Sequence, residues 1–235
     1  MSRKTRKKSQ EHGNELLENP EALAEKLSRT EEFIENNKTL VLSVGALLFL
    51  LVVGYFGYNY YEKTQNLKAQ TDMFQAIYYY ESDSLDLALR GDGINLGFID
   101  IINDYSITDA ANLANFYAGS IYLKKNDYKS AILYLEDFNA GDLLVQPKAY
   151  SLIGDAHMEL GEFAEAAKYY TKAANYESNK YFSPRYFMKA ALAYENANDI
   201  ESAKKSYSTI IEKFWDSSEV QNAKKYKARL EKVAS

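Results

Sequence analysis

The sequence predicts an all-α protein: one apolar helix near the amino terminus, then an α-solenoid of helix-turn-helix units closed by a carboxyl-terminal capping helix. Three observations predict it. Residues 39–61, TLVLSVGALLFLLVVGYFGYNYY, carry no charge and as a helix are long enough to cross a hydrocarbon core of about 30 Å. From about residue 84 onward there is helix punctuation but no period-two stretch and no hairpin signal. Finally, Asn112, Pro147 and Pro184, taken as starting points, bring three segments into register at separations of 35 and 37 residues, near the 34-residue period of helix-pair solenoids.

Residues 1–38 read as a tail with a short helix. Arg3, Lys4, Arg6, Lys7 and Lys8 form a basic cluster, read as a topogenic segment, with contact to anionic lipid or ribosomal RNA as the alternative. Asn19 followed by Pro20 gives a helix start, and Glu21 and Glu25 place acids in its opening turns. Leu23, Leu27, Phe33 and Ile34 give this helix some apolar surface.

Residues 39–61 read as a transmembrane helix, hydrophobic on every face. A cleaved signal peptide fits poorly, because 38 residues precede the run and no small-residue cleavage pattern follows it. Lys26, Arg29 and Lys38 before the span nearly balance Lys63 and Lys68 after it; the basic cluster tips the count. Beyond the span lie 20 of the 28 basic and 25 of the 33 acidic residues, so the tail is expected in the cytoplasm and the body outside it. Tyr55, Phe56, Tyr58, Tyr60 and Tyr61 resemble an interfacial aromatic belt. Gly54 and Gly57 share a face and are a candidate transmembrane contact, although their spacing is not the four-residue one and glycine is common in such helices.

Residues 62–111 read as a membrane-proximal helical segment. No glycine or proline interrupts the pattern through Leu67, Phe74, Ile77 and Tyr78, so the span is expected to run on as one long helix. Gly91 and Gly93 end a short segment, Gly161 separates two helices, and Ser183-Pro184 opens another as a cap and first-turn proline would. Residues 112–217 hold the three registered units. One shared position carries Gly119, Gly154 and Ala191, small residues that let two helices touch; three further on stand Tyr122, His157 and Tyr194. Twelve after the small residue come Ala131, Ala166 and Ala203, then Leu135, Tyr170 and Tyr207. Residues 218–235 supply the cap: Val220, Ala223, Tyr226, Leu230 and Val233 fall on one face, with Lys224, Lys225, Lys227 and Glu231 pointing away.

Composition narrows the function. The chain has no cysteine and two histidines, His12 and His157, so disulfides and thiolate sites are impossible and neither a metal nor a cofactor is expected. A net charge of -5 does not mark a nucleic-acid binder. Arg90-Gly91-Asp92-Gly93 reads as a helix-ending loop, since no strand precedes it and no phosphate cradle follows. Asp83, Asp86, Asp92, Asp100 and Asp104 do not match a calcium loop. His157 takes a position normally filled by a packing aromatic. No nucleophile-base-orienter set can be assembled, so an enzyme is not expected.

The registered segments, clearest in GDAHMELGEFAEAAKYYTKAA at 154–174, resemble tetratricopeptide repeats (TPR). The order of tail, span and repeats, with DSLDLALRGDGINLGFIDIINDYSITDAANLANFYAGSIYL between them, is similar to the YfgM-like family, ancillary subunits of the SecYEG translocon, in the versions seen in Bacteroidetes. That resemblance covers most of residues 35–235; the tail is longer than the family pattern. It implies a non-catalytic, single-pass bacterial inner-membrane protein whose periplasmic repeats work near the translocon exit beside a PpiD-type membrane-anchored chaperone, with nascent or unfolded chains as further partners. The repeat geometry of the family puts Phe116, Ser120, Leu123, Ser151, Asp155, Met158, Met188, Leu192 and Glu195 on the inner face as a candidate groove. That face lacks the lysine and asparagine set that clamps a peptide carboxylate, so apolar segments suit it better than a free carboxyl terminus. Packing between repeats is the alternative role for these nine residues. An envelope scaffold or assembly factor unrelated to the Sec translocon is the alternative function.

Overall fold

The computed structural model describes residues 20–233, and every described element is helical. The basic cluster at 3–8 and Asn19 lie outside the described residues, as do the side chains of Leu23 and Val233. The chain divides into two units, up to Tyr61 and from Glu62 onward. In the first, α1 spans Pro20–Asn36 and ends at Asn37, whose amide side chain donates to the Phe33 carbonyl (2.9 Å). Helix α2 then runs from Lys38 to Glu81 as one element, as the uninterrupted pattern predicts. Its apolar stretch is exposed on all faces, with Leu42, Phe49 and Phe56 in the open. It is the one described helix long and apolar enough to cross a membrane.

The second unit begins with the last five turns of α2. Helices α3 (Leu85–Arg90), α4 (Phe98–Asp104), α5 (Asp109–Lys124), α6 (Tyr128–Asp137), α7 (Val145–Glu159), α8 (Phe163–Asn175), α9 (Ser183–Asn196), α10 (Ile200–Lys213) and α11 (Val220–Val233) follow. They pack as successive antiparallel pairs, α5 on α6, α7 on α8, α9 on α10, each against the next, and α11 covers α10 through Val220, Ala223 and Leu230.

The helix crossings explain the small residues. A Cβ on Gly119 would lie 2.5 Å from Leu135 Cγ, and one on Gly154 would lie 2.7 Å from the Tyr170 ring, so at these two crossings only glycine leaves room for the large side chain sixteen residues on. In the third pair Ala191 and Tyr207 share one core. Ala131, Ala166 and Ala203 are fully buried where the second helix crosses the first. Close approach of this kind gives many dispersion contacts per residue without long side chains.

Each pair is joined by three residues with the same geometry. Asn126, Gly161 and Asn198 take left-handed φ values of 62°, 75° and 59°. The next amide reaches back five residues, Asp127 to Tyr122, Glu162 to His157 and Asp199 to Tyr194, each at 2.9 Å. This closes the first helix with the six-to-one bond of a Schellman motif. Asp127 and Asp199 then cap the second helix by accepting from Ser130 N (3.2 Å) and Ser202 N (3.1 Å).

The same turn appears a fourth time. Asp83 has φ 56°, and Ser84 N donates to Tyr79 O at 2.8 Å. Counting from it, Ala76, Tyr79 and Ala88 fall at the small, aromatic and crossing positions of the later units, 43 residues ahead of Gly119, Tyr122 and Ala131. Ala69, Met73 and Ala76 are buried against Ala88, Leu89, Phe98 and Ile101. The stretch 62–111 thus holds a helix pair of the same kind, its first helix being the end of α2 and its second split into α3 and α4. Leu67, Phe74 and Tyr78, which carry the apolar pattern in sequence, point outward.

The split comes from the loop at 91–97. A side chain on Gly97 would meet the Leu89 carbonyl at 2.3 Å, and Gly91 has φ 74° with no room beside the Asn95 carbonyl. Asp92 accepts from the Ile94 and Asn95 amides (2.8 and 2.7 Å) and from Tyr79 OH (2.6 Å). These bonds hold its carboxyl well below the usual range, the backbone bond from Asn95 contributing most. The Arg-Gly-Asp-Gly stretch therefore ends a helix and ties its own loop. Asp86 pairs with Lys125 and Asp83 with Lys124.

Ser183 does not act as the expected cap. It lies buried within the first turn of α9 and accepts from Asn179 N at 2.9 Å, so its oxygen fastens the preceding loop, while Pro184 keeps its first-turn place.

Candidate functional site

Helices α7 and α9 line two adjoining hollows. One, a cleft of about 430 Å³, is lined by Leu123, Asn126 and Tyr128, by Asp155, Met158 and Glu159 of α7, by Tyr170, and by Lys189 and Leu192 of α9. A second hollow of about 360 Å³ shares Lys189 and Leu192 and continues over Met188, Glu195, Tyr207, Tyr226 and Arg229. Between the two, Leu192 stands 52% exposed.

Polar groups in this surface are fixed by one another. The Asp155 carboxylate accepts from Lys189 Nζ (2.7 and 2.9 Å) and from Tyr170 OH (2.6 Å). Lys189 also donates to Ser151 Oγ (3.2 Å), and its ammonium lies 5.3 Å over the Tyr170 ring. In the second hollow Glu195 accepts from Tyr207 OH (2.7 Å) and from the Arg229 guanidinium. Burial, then the bond to Asp155, raises the Tyr170 phenol above its ordinary 10.0; burial and Glu195 do the same to Tyr207. With both carboxylates engaged, what the surface offers a partner is Leu123, Met158, Leu192, Met188 and tyrosine faces, rimmed by Glu159.

Of the nine groove residues expected from sequence, Leu123, Asp155, Met158 and Leu192 line the larger cleft, and Met188, Leu192 and Glu195 the smaller. Phe116, Ser120 and Ser151 line neither. Phe116 packs on Phe138 with ring centroids 5.3 Å apart, Ser120 is buried with its hydroxyl on the Phe116 carbonyl (2.7 Å), and Ser151 is buried beneath Lys189. Sequence reasoning missed Lys189 and Tyr170 as groove residues. The signal was present in the spacing, because Lys189 is four residues from Arg185 and three from Leu192 on a face that α9 shares with Met188. His157 stacks on Tyr169 (5.4 Å) with Nδ1 2.6 Å from Glu162 Oε2, a packing aromatic tied to the turn. Gly54 and Gly57 lie on α2 with nothing within 4 Å of a Cβ at either position.

Comparison with known proteins agrees with the geometry. A tetratricopeptide-repeat family model matches residues 147–180, which cover α7 from Pro147 and all of α8, and a second tetratricopeptide-repeat model matches 186–217, which cover α9 from Tyr186 and all of α10. The chain contains tetratricopeptide repeats, modules that serve in general as non-catalytic adaptors for protein partners. No curated protein matches it.

Proposed function

We propose that the chain is a single-pass adaptor of the bacterial inner membrane, its amino terminus cytoplasmic and its repeats periplasmic. There it holds a PpiD-type chaperone, or an emerging polypeptide, beside the SecYEG translocon. The observation that carries the membrane part is the apolar run 39–61, exposed on every face and continuous in α2 with the first helix pair. Exposed apolar surface of that extent is unfavourable in water and favourable in lipid. The binding part rests on the paired clefts, whose apolar and tyrosine lining suits an extended or helical apolar segment. The translocon and the chaperone come from the order of tail, span and repeats shared with the YfgM-like family.

Affinity purification of the full chain in mild detergent tests the partners. Recovery of translocon subunits with a periplasmic chaperone is the expected outcome; their absence from an eluate containing intact protein defeats the proposal. Recovery of envelope assembly machinery alone favours the scaffold reading. Topology is separately measurable because the chain has no cysteine. A Gln221→Cys variant should react with a membrane-impermeant maleimide in spheroplasts, and labelling that requires lysis puts the repeats in the cytoplasm.

A further inference from the structure

A second surface lies away from the clefts, on the edge where one helix pair hands over to the next. Every handover loop of the repeat body displays apolar side chains to solvent: Ile107 before α5, Leu143 and Leu144 before α7, Tyr181 and Phe182 before α9, Trp215 before α11. Tyr181 and Trp215 are each 74% exposed, and Trp215 is the only tryptophan in the chain.

Polar contacts string these loops into one continuous edge. Ala110 N donates to Asn66 Oδ1 (3.0 Å), which sets the start of α5 beside the early residues of the repeat body. Asn112 and Asn139 exchange two bonds (2.8 and 2.9 Å), Tyr176 OH donates to the Ala140 carbonyl (3.0 Å), and Lys180 pairs with Asp216 (3.2 Å). The string begins at Asn66, five residues after the last residue of the apolar run. The opposite edge, where the three-residue turns lie, displays Lys124, Lys125, Asp127, Glu162 and Asp199 instead.

We propose that the handover edge lies in the headgroup region of the bilayer, with Tyr181, Phe182 and Trp215 as interfacial anchors. This rests on residues 39–61 being a membrane span. Three observations favour lipid over a protein partner. The row starts where the chain leaves the apolar run. Its distal members are tryptophan, tyrosine and phenylalanine, and the first two are the side chains that partition to a membrane interface with ring in acyl chain and polar atom in water. Its loops carry Lys180 against Asp142, Glu177, Asp216 and Glu219, so contact depends on apolar insertion and draws nothing from anionic lipid or low salt.

The lone tryptophan is the probe. The full chain is reconstituted into phosphatidylcholine vesicles, with and without phosphatidylglycerol, and integration is checked by resistance to alkaline carbonate. Iodide is present on both sides of the bilayer, so either insertion orientation serves. The expected result is blue-shifted Trp215 emission, quenching by nitroxide-labelled phosphatidylcholine and protection from iodide, none of it requiring phosphatidylglycerol or low salt. A Tyr181→Ser/Phe182→Ser variant with native far-UV circular dichroism should lose lipid quenching of Trp215. An integrated chain whose Trp215 is quenched freely by iodide and not by labelled lipid overturns the edge contact alone. Protection from both quenchers overturns it too, because it means that protein covers the edge. Extraction by carbonate overturns the span and the edge contact together.

Discussion

The two edges of the repeat body are built on opposite principles. On the turn edge four connections of three residues repeat one geometry: a left-handed residue at Asp83, Asn126, Gly161 or Asn198, and an amide that reaches back five positions. On the handover edge the loops run through 105–108, 138–144, 176–182 and 214–219, differ in length and conformation, and leave large apolar groups in solvent. A turn between two helices that cross closely has to satisfy the orphan carbonyls and amides of both within three residues, and few backbone solutions do so. A handover loop only has to span a gap, and its side chains are left for other uses.

The contrast is open to direct measurement. Raising the pH beyond 10 has the largest effect, because it acts on the interior that joins the edges. The Tyr169, Tyr170 and Tyr207 phenols are all raised above 10.0, by burial first and then by their carboxylate partners Glu136, Asp155 and Glu195. A group whose folded value is raised contributes stability that is whole below 10.0 and drains away as pH climbs toward the folded value. Far-UV circular dichroism should therefore hold to about pH 10 and then collapse; all 21 tyrosines titrating near 10 with the helical signal unchanged contradicts the assignment.

Next comes Gly161→Val on the turn edge. A β-branched residue at φ 75° costs about 1–3 kcal/mol, a fall of about 2–4 °C in Tm per kcal/mol for a body of this size; an unchanged Tm means the turn tolerates another backbone. Removing caps is milder. Asp199→Ala should cost about 1 kcal/mol, while Glu162→Ala at the equivalent position costs less, since Glu162 makes no cap bond; equal losses by chemical denaturation argue against capping as the cause. Smallest is Trp215→Ser on the handover edge, expected within about 0.5 kcal/mol of the parent. A large loss there means Trp215 is structural and ends the contrast.

How far the sequence disclosed this arrangement depended on spacing. The units starting at Asn112, Pro147 and Pro184 were legible because Gly119, Gly154 and Ala191 recur with their aromatic and alanine partners at nearly constant separation. The unit containing Ala76, Tyr79 and Ala88 was not, although it carries the same residue types. The loop at 91–97 lengthens its separation to 43 residues and breaks its second helix, and its first helix is the tail of an apolar run that draws the eye to the bilayer. Of the nine candidate groove residues, Leu123, Asp155, Met158, Met188, Leu192 and Glu195 line the two hollows, while Phe116 packs on Phe138. Ser120 and Ser151 failed because the inner face of a helix is not all open: where α5 and α7 meet their neighbours, the same register points into the interior.

The helical class, the uncharged run at 39–61 and the period of the repeats are written in the order of residues, since hydrophobic pattern, glycine and proline act locally along the chain. Helix packing is what makes the end of α2 the first helix of a pair, brings Lys189 and Tyr170 onto Asp155 in the cleft, and sets apolar loops far apart in sequence along one edge. Those outcomes depend on which surfaces meet when helices stack, and steric fit and ion pairing between them are set by neighbours dozens of residues away.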